Sequence, residues 1–131
     1  MVDVSATTLG RPKLPDGLVV IVKHECETCK MIAPLLAQFE ATTYTQDDPS
    51  FPVGVDPIHD ADLSISWHHD IETVPTLIRV IDGHEVERTV GWSRSDWQRI
   101  TGIETLGDDL PVMRPGCGSM SVDPNRSTRS E

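Results

Sequence analysis

The chain has 131 residues, with 11 Lys and Arg against 21 Asp and Glu, which gives a formal net charge of -10 at pH 7. This length suits one domain with a substantial core, and the negative charge argues against nucleic acid or an anionic membrane surface as the main partner. No apolar run approaches the roughly 20 residues of a membrane span, and residues 1–17 lack the basic start and apolar stretch of a signal peptide. We therefore expect a soluble, cytoplasmic protein.

The first half of the chain predicts a strand followed by a helix. Residues 1–17 have no periodicity and predict an N-terminal arm, whereas LVVIVK (18–23) is a β-branched run typical of a strand buried on both faces. From Glu27 onward an apolar stripe predicts a helix that ends near 41–50, with a kink at Pro34. The stripe consists of Ile32, Leu35, Leu36 and Phe39.

The middle of the chain predicts a second strand and a second helix. FPVGVD (51–56) is the strand candidate, and a short helix follows within 57–72, with Asp60 as its expected N-cap.

The following residues predict a hairpin and a last helix. The strand-like runs TLIRVI (76–81) and EVERTVGW (85–92) are separated by Asp-Gly-His, a strong hairpin signal. Ser93 and Asp96 have capping-box spacing at the start of a helix that stops at Gly102.

The predicted order is β-α-β-α-β-β-α, which indicates an α/β protein with one domain over 18–106. Residues 107–131 are rich in Gly, Pro, Ser and Asp. We expect them to form a C-terminal tail that follows the surface and is disordered over its last ten or so residues.

The three cysteines favour site chemistry over a structural role. An odd number in a chain that is not expected to be exported makes a disulfide framework improbable. Cys26 and Cys29 are three apart at the start of the first predicted helix, which suits either a redox couple or half of a metal site.

Two segments of the sequence carry a family resemblance. One reads CKMIAP (29–34), and the other reads TVPTLIRVIDGHEVERTVGW (73–92). In this order they resemble the active-site helix, the cis-proline segment and the terminal hairpin of the thioredoxin family. The resemblance spans roughly 18–102 and implies a thioredoxin-like three-layer sandwich with a mixed sheet.

The resemblance also implies roles for individual residues. Cys26 would be the attacking cysteine and Cys29 the resolving one, within the redox-active motif Cys-Glu-Thr-Cys. Pro75 would be the cis-proline that faces them, with the Val74 backbone available to an extended substrate, and Gly91 would line the substrate groove.

These roles amount to a disulfide reductase that needs no bound cofactor. It would act on disulfide-containing proteins or low-molecular-weight thiols and receive electrons from an upstream reductase. The protein would then take part in electron transport and cell redox homeostasis.

The charges beside Cys26 predict its redox poise. A helix N-terminus favours the thiolate by about 0.3–1 kcal/mol, whereas Glu25 and Glu27 each oppose it by on the order of 1 kcal/mol at surface dielectric. His24 offsets them only when it is protonated. We therefore expect Cys26 to be less acidic than the helix alone would make it, and the protein to be reducing.

Two alternatives remain open, and so does the role of the third cysteine. A metal or iron-sulfur site would use Cys26, Cys29 and Cys117, and a redox-silent module would use the proline groove only to hold a partner. Cys117, between glycines in the tail, is either a third thiol offered to the pair or an incidental surface cysteine.

Overall fold

Residues 13–122 are described in a computed structural model of the chain. Most of the predicted N-terminal arm (1–12) and the last residues of the predicted tail (123–131) lie outside the described residues, and so does the disorder expected at the chain's end.

A mixed five-stranded sheet forms the centre of the protein, which confirms the predicted α/β class. The sheet consists of β1 (Gly17–Val22), β2 (Thr42–Thr45), β3 (Ile58–His59), β5 (Thr76–Ile81) and β6 (His84–Val90), and the short strand β4 (Thr73–Val74) lies outside it. The strand order is β3-β2-β1-β5-β6, with β1, β2 and β3 parallel and β5 and β6 antiparallel to their neighbours.

Strand β1 is the central strand that the apolar run predicts. Its residues 19–22 are completely buried, since β1 is the middle strand of the sheet and its side chains belong to the hydrophobic core. The chain leaves the end of β1 directly into the segment that carries the two closely spaced cysteines.

Helix α1 (Glu27–Ile32) follows, and in place of the kink predicted at Pro34 the α-helical geometry ends just before this residue. The chain continues as a 3₁₀ segment over Ala33–Gln38. Pro34 has no N–H with which to continue the α-helical hydrogen bonds, so the helix tightens at this point.

The predicted strand at 51–56 is wrong, and the second strand is β2 instead. Thr42, Thr43 and Thr45 are β-branched and pair in parallel with β1. The stretch 51–56 instead forms turns, because Pro52 lacks an N–H for the sheet and Gly54 has a φ of 95°.

Helix α2 (Ser64–His68) confirms the short second helix, although Asp60 acts from further upstream than an N-cap. The formal N-cap is Leu63, and the Asp60 carboxylate accepts hydrogen bonds from Ile65 N at 3.0 Å and Ser66 N at 2.9 Å. The carboxylate thus satisfies free N–H groups of the first turn.

The hairpin and the last helix lie where the sequence predicts them. Asp82 and Gly83 connect β5 to β6 with positive φ at both residues, as a two-residue hairpin turn requires. Helix α3 (Arg94–Thr101) ends at Gly102 with a φ of 79°. The capping box expected at the start of this helix is absent, because the Ser93 side chain makes no capping hydrogen bond.

The described part of the tail is built into the protein by strand pairing. β8 (Met113–Arg114) pairs with β7 (Trp92–Ser93), and β9 (Cys117–Gly118) pairs with β4 (Thr73–Val74). A 3₁₀ turn over Met120–Val122 follows. The tail therefore returns to the strand that precedes Pro75.

Candidate active site

The site begins with Cys26, whose sulfur caps helix α1. Cys26 has an extended backbone (φ -159°, ψ 114°), and its Sγ accepts a hydrogen bond from Cys29 N at 3.2 Å. The first N–H groups of a helix have no partner within the helix, so a side-chain acceptor at the N-cap is stabilising. Here that acceptor is a nucleophilic sulfur.

Cys29 lies one turn further along the helix and is fully enclosed. Its exposed fraction is 0%, and that of Cys26 is 3%. Both are free thiols, and so is Cys117. The predicted arrangement of one sulfur at the helix start and a second behind it is therefore present.

Hydrogen-bond donors lower the pKa of Cys26. The largest contribution comes from the Cys29 thiol, which outweighs the opposing effect of burial; the Cys117 thiol and the N–H groups of Cys29 and Thr28 add to it. Together they lower the pKa of Cys26 from an ordinary 9.0 to about 5. Burial, and then the bond to Cys26, raise the pKa of Cys29. One thiol is thus a thiolate at neutral pH while the other keeps its proton.

The predicted effect of the flanking glutamates is wrong. Glu25 and Glu27 were expected to leave Cys26 less acidic, but their side chains are 78% and 72% exposed, where water screens them. Glu25 also pairs with His24 at 3.1 Å, and Glu27 pairs with Lys30 at 3.5 Å. Donors in direct contact with the sulfur decide its pKa.

Val74 and Pro75 face the cysteines across the site. The Val74–Pro75 peptide bond is cis, as the resemblance implies, and Cys26 Sγ lies 3.6 Å from the Val74 carbonyl oxygen. Gly91 lies beside them, since its N–H donates to Pro75 O at 2.7 Å. The structure therefore brings together the residues expected at the substrate groove.

The tail occupies this groove. Cys117 pairs with Val74 in the β4–β9 ladder, and Gly116 packs so closely that a Cβ there would lie 2.3 Å from Val74 O. A Cβ on Gly91 would meet Gly116 N at 2.9 Å. The backbone edge expected to receive an extended substrate is thus paired with a segment of the chain itself.

Cys117 belongs to the site, a placement that sequence reasoning left open. Its thiol is a hydrogen-bond partner of the Cys26 sulfur. Burial, followed by this bond to Cys26, raises the pKa of Cys117. Two thiols, those of Cys29 and Cys117, therefore lie beside the Cys26 sulfur.

Sequence reasoning missed the role of Asp47, whose position favours a solvated loop charge. Its carboxylate accepts hydrogen bonds from His24 N at 2.7 Å and Glu25 N at 3.0 Å. Partial burial opposes ionisation, but these N–H groups outweigh it and lower the pKa of Asp47. Asp47 thus fixes the loop that delivers Cys26, and no local signal marks a contact across 22 or 23 residues.

Thr28, inside the Cys-Glu-Thr-Cys motif, was also missed. Its side chain is 1% exposed, and its Oγ1 donates to Pro115 O at 2.7 Å. One of the two residues between the cysteines therefore ties the site to the tail.

Neither a membrane span nor a metal cluster is found in the described residues. Within 13–122 no helix is long and apolar enough to cross a membrane. Over the same residues, no group of three or more His, Cys, Asp and Glu side chains is arranged to hold a metal ion.

An acidic thiol at a helix start, backed by a buried thiol one turn on, is a dithiol site suited to disulfide exchange. The chain is 28% identical over 109 residues to thioredoxin H4 of Arabidopsis thaliana, an alignment that covers 79% of this chain and 87% of the relative. The sequence matches no family model, and no solved structure matches it significantly. The similarity suggests the thioredoxin family, and the mixed sheet is compatible with a thioredoxin-like fold.

Proposed function

We propose that this protein is a thiol-disulfide oxidoreductase that works through Cys26 and Cys29. The observation that carries the proposal is the Cys26 sulfur at the helix N-cap, with a pKa lowered to about 5. A thiolate is the form that attacks a disulfide. The similarity to a plant thioredoxin over most of the chain also supports the proposal.

The reaction proceeds by two exchanges. The Cys26 thiolate attacks one sulfur of a client disulfide, which forms a Cys26–client disulfide and releases the other client sulfur as a thiolate that takes up a proton. Cys29 then loses its proton and attacks the Cys26 sulfur. The Cys26–Cys29 disulfide forms and the second client thiolate leaves, so the client gains the two electrons that the pair loses.

Two opposing effects determine how fast Cys29 attacks the mixed disulfide on Cys26. Its burial raises its pKa, so few molecules carry the thiolate at any moment. However, Cys29 is held one helical turn from the sulfur that it attacks, which replaces a collision by an intramolecular step.

Client binding involves Val74, Pro75 and Gly91. An extended client would pair with the Val74 backbone as an added strand, so its affinity would come largely from main-chain hydrogen bonds. Electrons return to the oxidised pair from an upstream reductase or a low-molecular-weight thiol, without a bound cofactor. Protein disulfides and small disulfides are both within this substrate class.

The reducing poise predicted from the sequence stays a prediction, but the argument for it from the glutamates does not hold at this site. The glutamates were expected to disfavour the thiolate, whereas the structure gives Cys26 a low pKa. A stabilised thiolate favours the reduced protein, so this effect makes the pair more oxidising than one with an unperturbed attacking thiol.

Reduction of insulin disulfides by dithiothreitol tests the function. The wild-type protein should accelerate insulin precipitation, and Cys26→Ser should abolish the acceleration because it removes the nucleophile. Cys26→Ser is matched by Ser50→Ala, which changes an exposed hydroxyl in another loop. A rate that is the same with and without Cys26 would refute the function, and zinc bound to freshly purified protein would favour the metal alternative.

A further inference from the structure

The tail strand β9 is held along the edge of β4 by contacts on both of its sides. Lys23 Nζ donates to Gly118 O at 2.7 Å, and Thr28 Oγ1 donates to Pro115 O at 2.7 Å. Ser119 N donates to Glu72 O at 3.0 Å. These bonds come from the loop before α1, from α1 itself and from the segment before β4.

A buried polar network fixes the chain just beyond β9. The Gln46 side chain donates to Ser119 Oγ at 2.7 Å and accepts from Met120 N at 2.9 Å. Ser121 Oγ donates to Ile71 O at 2.8 Å. Buried polar groups with complete partners favour one arrangement over others, so the position of Cys117 is specified by the fold.

Glycine at position 116 lets the tail approach this closely. A Cβ there would lie 2.3 Å from Val74 O and 2.6 Å from Thr73 Cγ2, distances that force the strand away. A Cβ on Gly118, on the other side of Cys117, would have nothing within 4 Å. A side chain at position 116 would therefore displace the strand, whereas a side chain at position 118 would not.

Cys117 is the most accessible of the three thiols. Cys29 is completely buried and Cys26 nearly so, whereas Cys117 is partly exposed. Burial opposes ionisation of a thiol, so Cys117 loses a proton to solvent more easily than Cys29 does. It also sits next to the same sulfur that Cys29 would attack.

We propose that Cys117 is a second resolving thiol, carried on an internal strand that occupies the place of an extended client beside Cys26. This inference rests on the proposed function, since it needs a mixed disulfide on Cys26. Cys117 pairs with Val74, whose carbonyl oxygen contacts the Cys26 sulfur. A client that pairs with Val74 must displace β9, and the returning strand both displaces the client and delivers a thiol.

The step is a balanced disulfide exchange. Cys117 loses its proton and attacks the Cys26 sulfur of the Cys26–client disulfide. The Cys26–Cys117 bond forms, the Cys26–client bond breaks, and the client leaves as a thiolate that takes up a proton. Cys29 then attacks Cys26 in the same way, which forms Cys26–Cys29 and returns Cys117 to the thiol.

The test blocks Cys29 and uses glutathione disulfide as the client. In Cys29→Ser, glutathione transferred to Cys26 should be expelled by Cys117, which leaves a Cys26–Cys117 disulfide in the peptide mass map. The Cys29→Ser/Cys117→Ser protein should instead keep about tenfold or more as much glutathione on Cys26 as Cys29→Ser does. The reason is that a tethered thiol acts at an effective concentration that free thiols do not reach.

A matched pair of glycine variants tests the placement of the thiol. Cys29→Ser/Gly116→Ala keeps Cys117 but forces β9 from Val74, so it should retain glutathione. Cys29→Ser/Gly118→Ala adds the same methyl group where space is open, so it should form the Cys26–Cys117 disulfide like Cys29→Ser.

Failure of this inference differs from failure of the proposed function. If Cys29→Ser retains as much glutathione as the double variant and yields no Cys26–Cys117 peptide, Cys117 is not a resolving thiol, even where the wild-type protein reduces insulin. If Cys26 takes up no glutathione in any variant and the wild-type protein does not reduce insulin, both are overturned.

Discussion

Replacement of Cys29 by alanine should raise the pKa of Cys26, because the Cys29 thiol is its strongest hydrogen-bond donor. A hydrogen bond to a charged group contributes about 1.5–3 kcal/mol. One pKa unit corresponds to about 1.4 kcal/mol. The pKa of Cys26 should therefore rise from about 5 in the wild-type protein to between about 6 and 7 in Cys29→Ala. Cys29→Ser is the matched control, since its hydroxyl keeps a donor beside the sulfur.

The assay is the rate of alkylation by iodoacetamide as a function of pH, in fully reduced protein, with the labelled peptide identified by mass spectrometry. The half-maximal rate for Cys26 should move to higher pH in Cys29→Ala and stay close to the wild-type position in Cys29→Ser. Equal pKa values in the two variants would refute the claim that donors on the sulfur, rather than surface charges, set its acidity.

Three further outcomes are expected. The pKa of Cys26 in the folded protein lies below its ordinary 9.0, so its contribution to stability is complete above pH 9.0 and is lost as pH falls through about 5. The urea midpoint of the reduced protein should therefore rise as pH increases from about 5 to 9.0, and Cys26→Ser should flatten this rise. Thr28→Val should cost about 0.5–1.5 kcal/mol by loss of the bond to Pro115 O, and it should speed alkylation of Cys117, whereas Thr28→Ser should do neither. Asp47→Asn should lower the free energy of unfolding in urea by about 1 kcal/mol, since an amide has one acceptor oxygen where the carboxylate has two for the N–H groups of His24, Glu25 and Asp48. Unchanged stability would contradict the anchoring role.

The elements that could be predicted from the sequence are those whose backbone conformation is set by a few neighbouring residues. The apolar run of β1, the Asp82-Gly83 turn and the glycine stop at Gly102 each state a backbone requirement in a few residues, and the structure meets each one. Strand β2 was missed because its threonines are polar in composition but β-branched in shape, and neighbouring strands, not hydropathy, decide how they pair.

The parts of the site that come from distant residues could not be predicted. The spacing of Cys26 and Cys29 gave their relative position, since both are on one helical turn. By contrast, the pairing of Cys117 with Val74 and the anchoring by Asp47 depend on tertiary contacts that leave no pattern in the sequence. The acidity of Cys26 was misjudged for the same reason: nearby charges are visible in a sequence, whereas thiol donors that meet in space are not.

The most direct test of the account is equilibration of the wild-type protein in a series of glutathione redox buffers, with the Cys26–Cys29 disulfide quantified in acid-quenched samples. The account predicts a reversible two-electron transition between dithiol and disulfide, which disappears in Cys26→Ser. Cysteines that stay reduced across the whole series, or that are oxidised without a Cys26–Cys29 bond and cannot be reduced again, would contradict it.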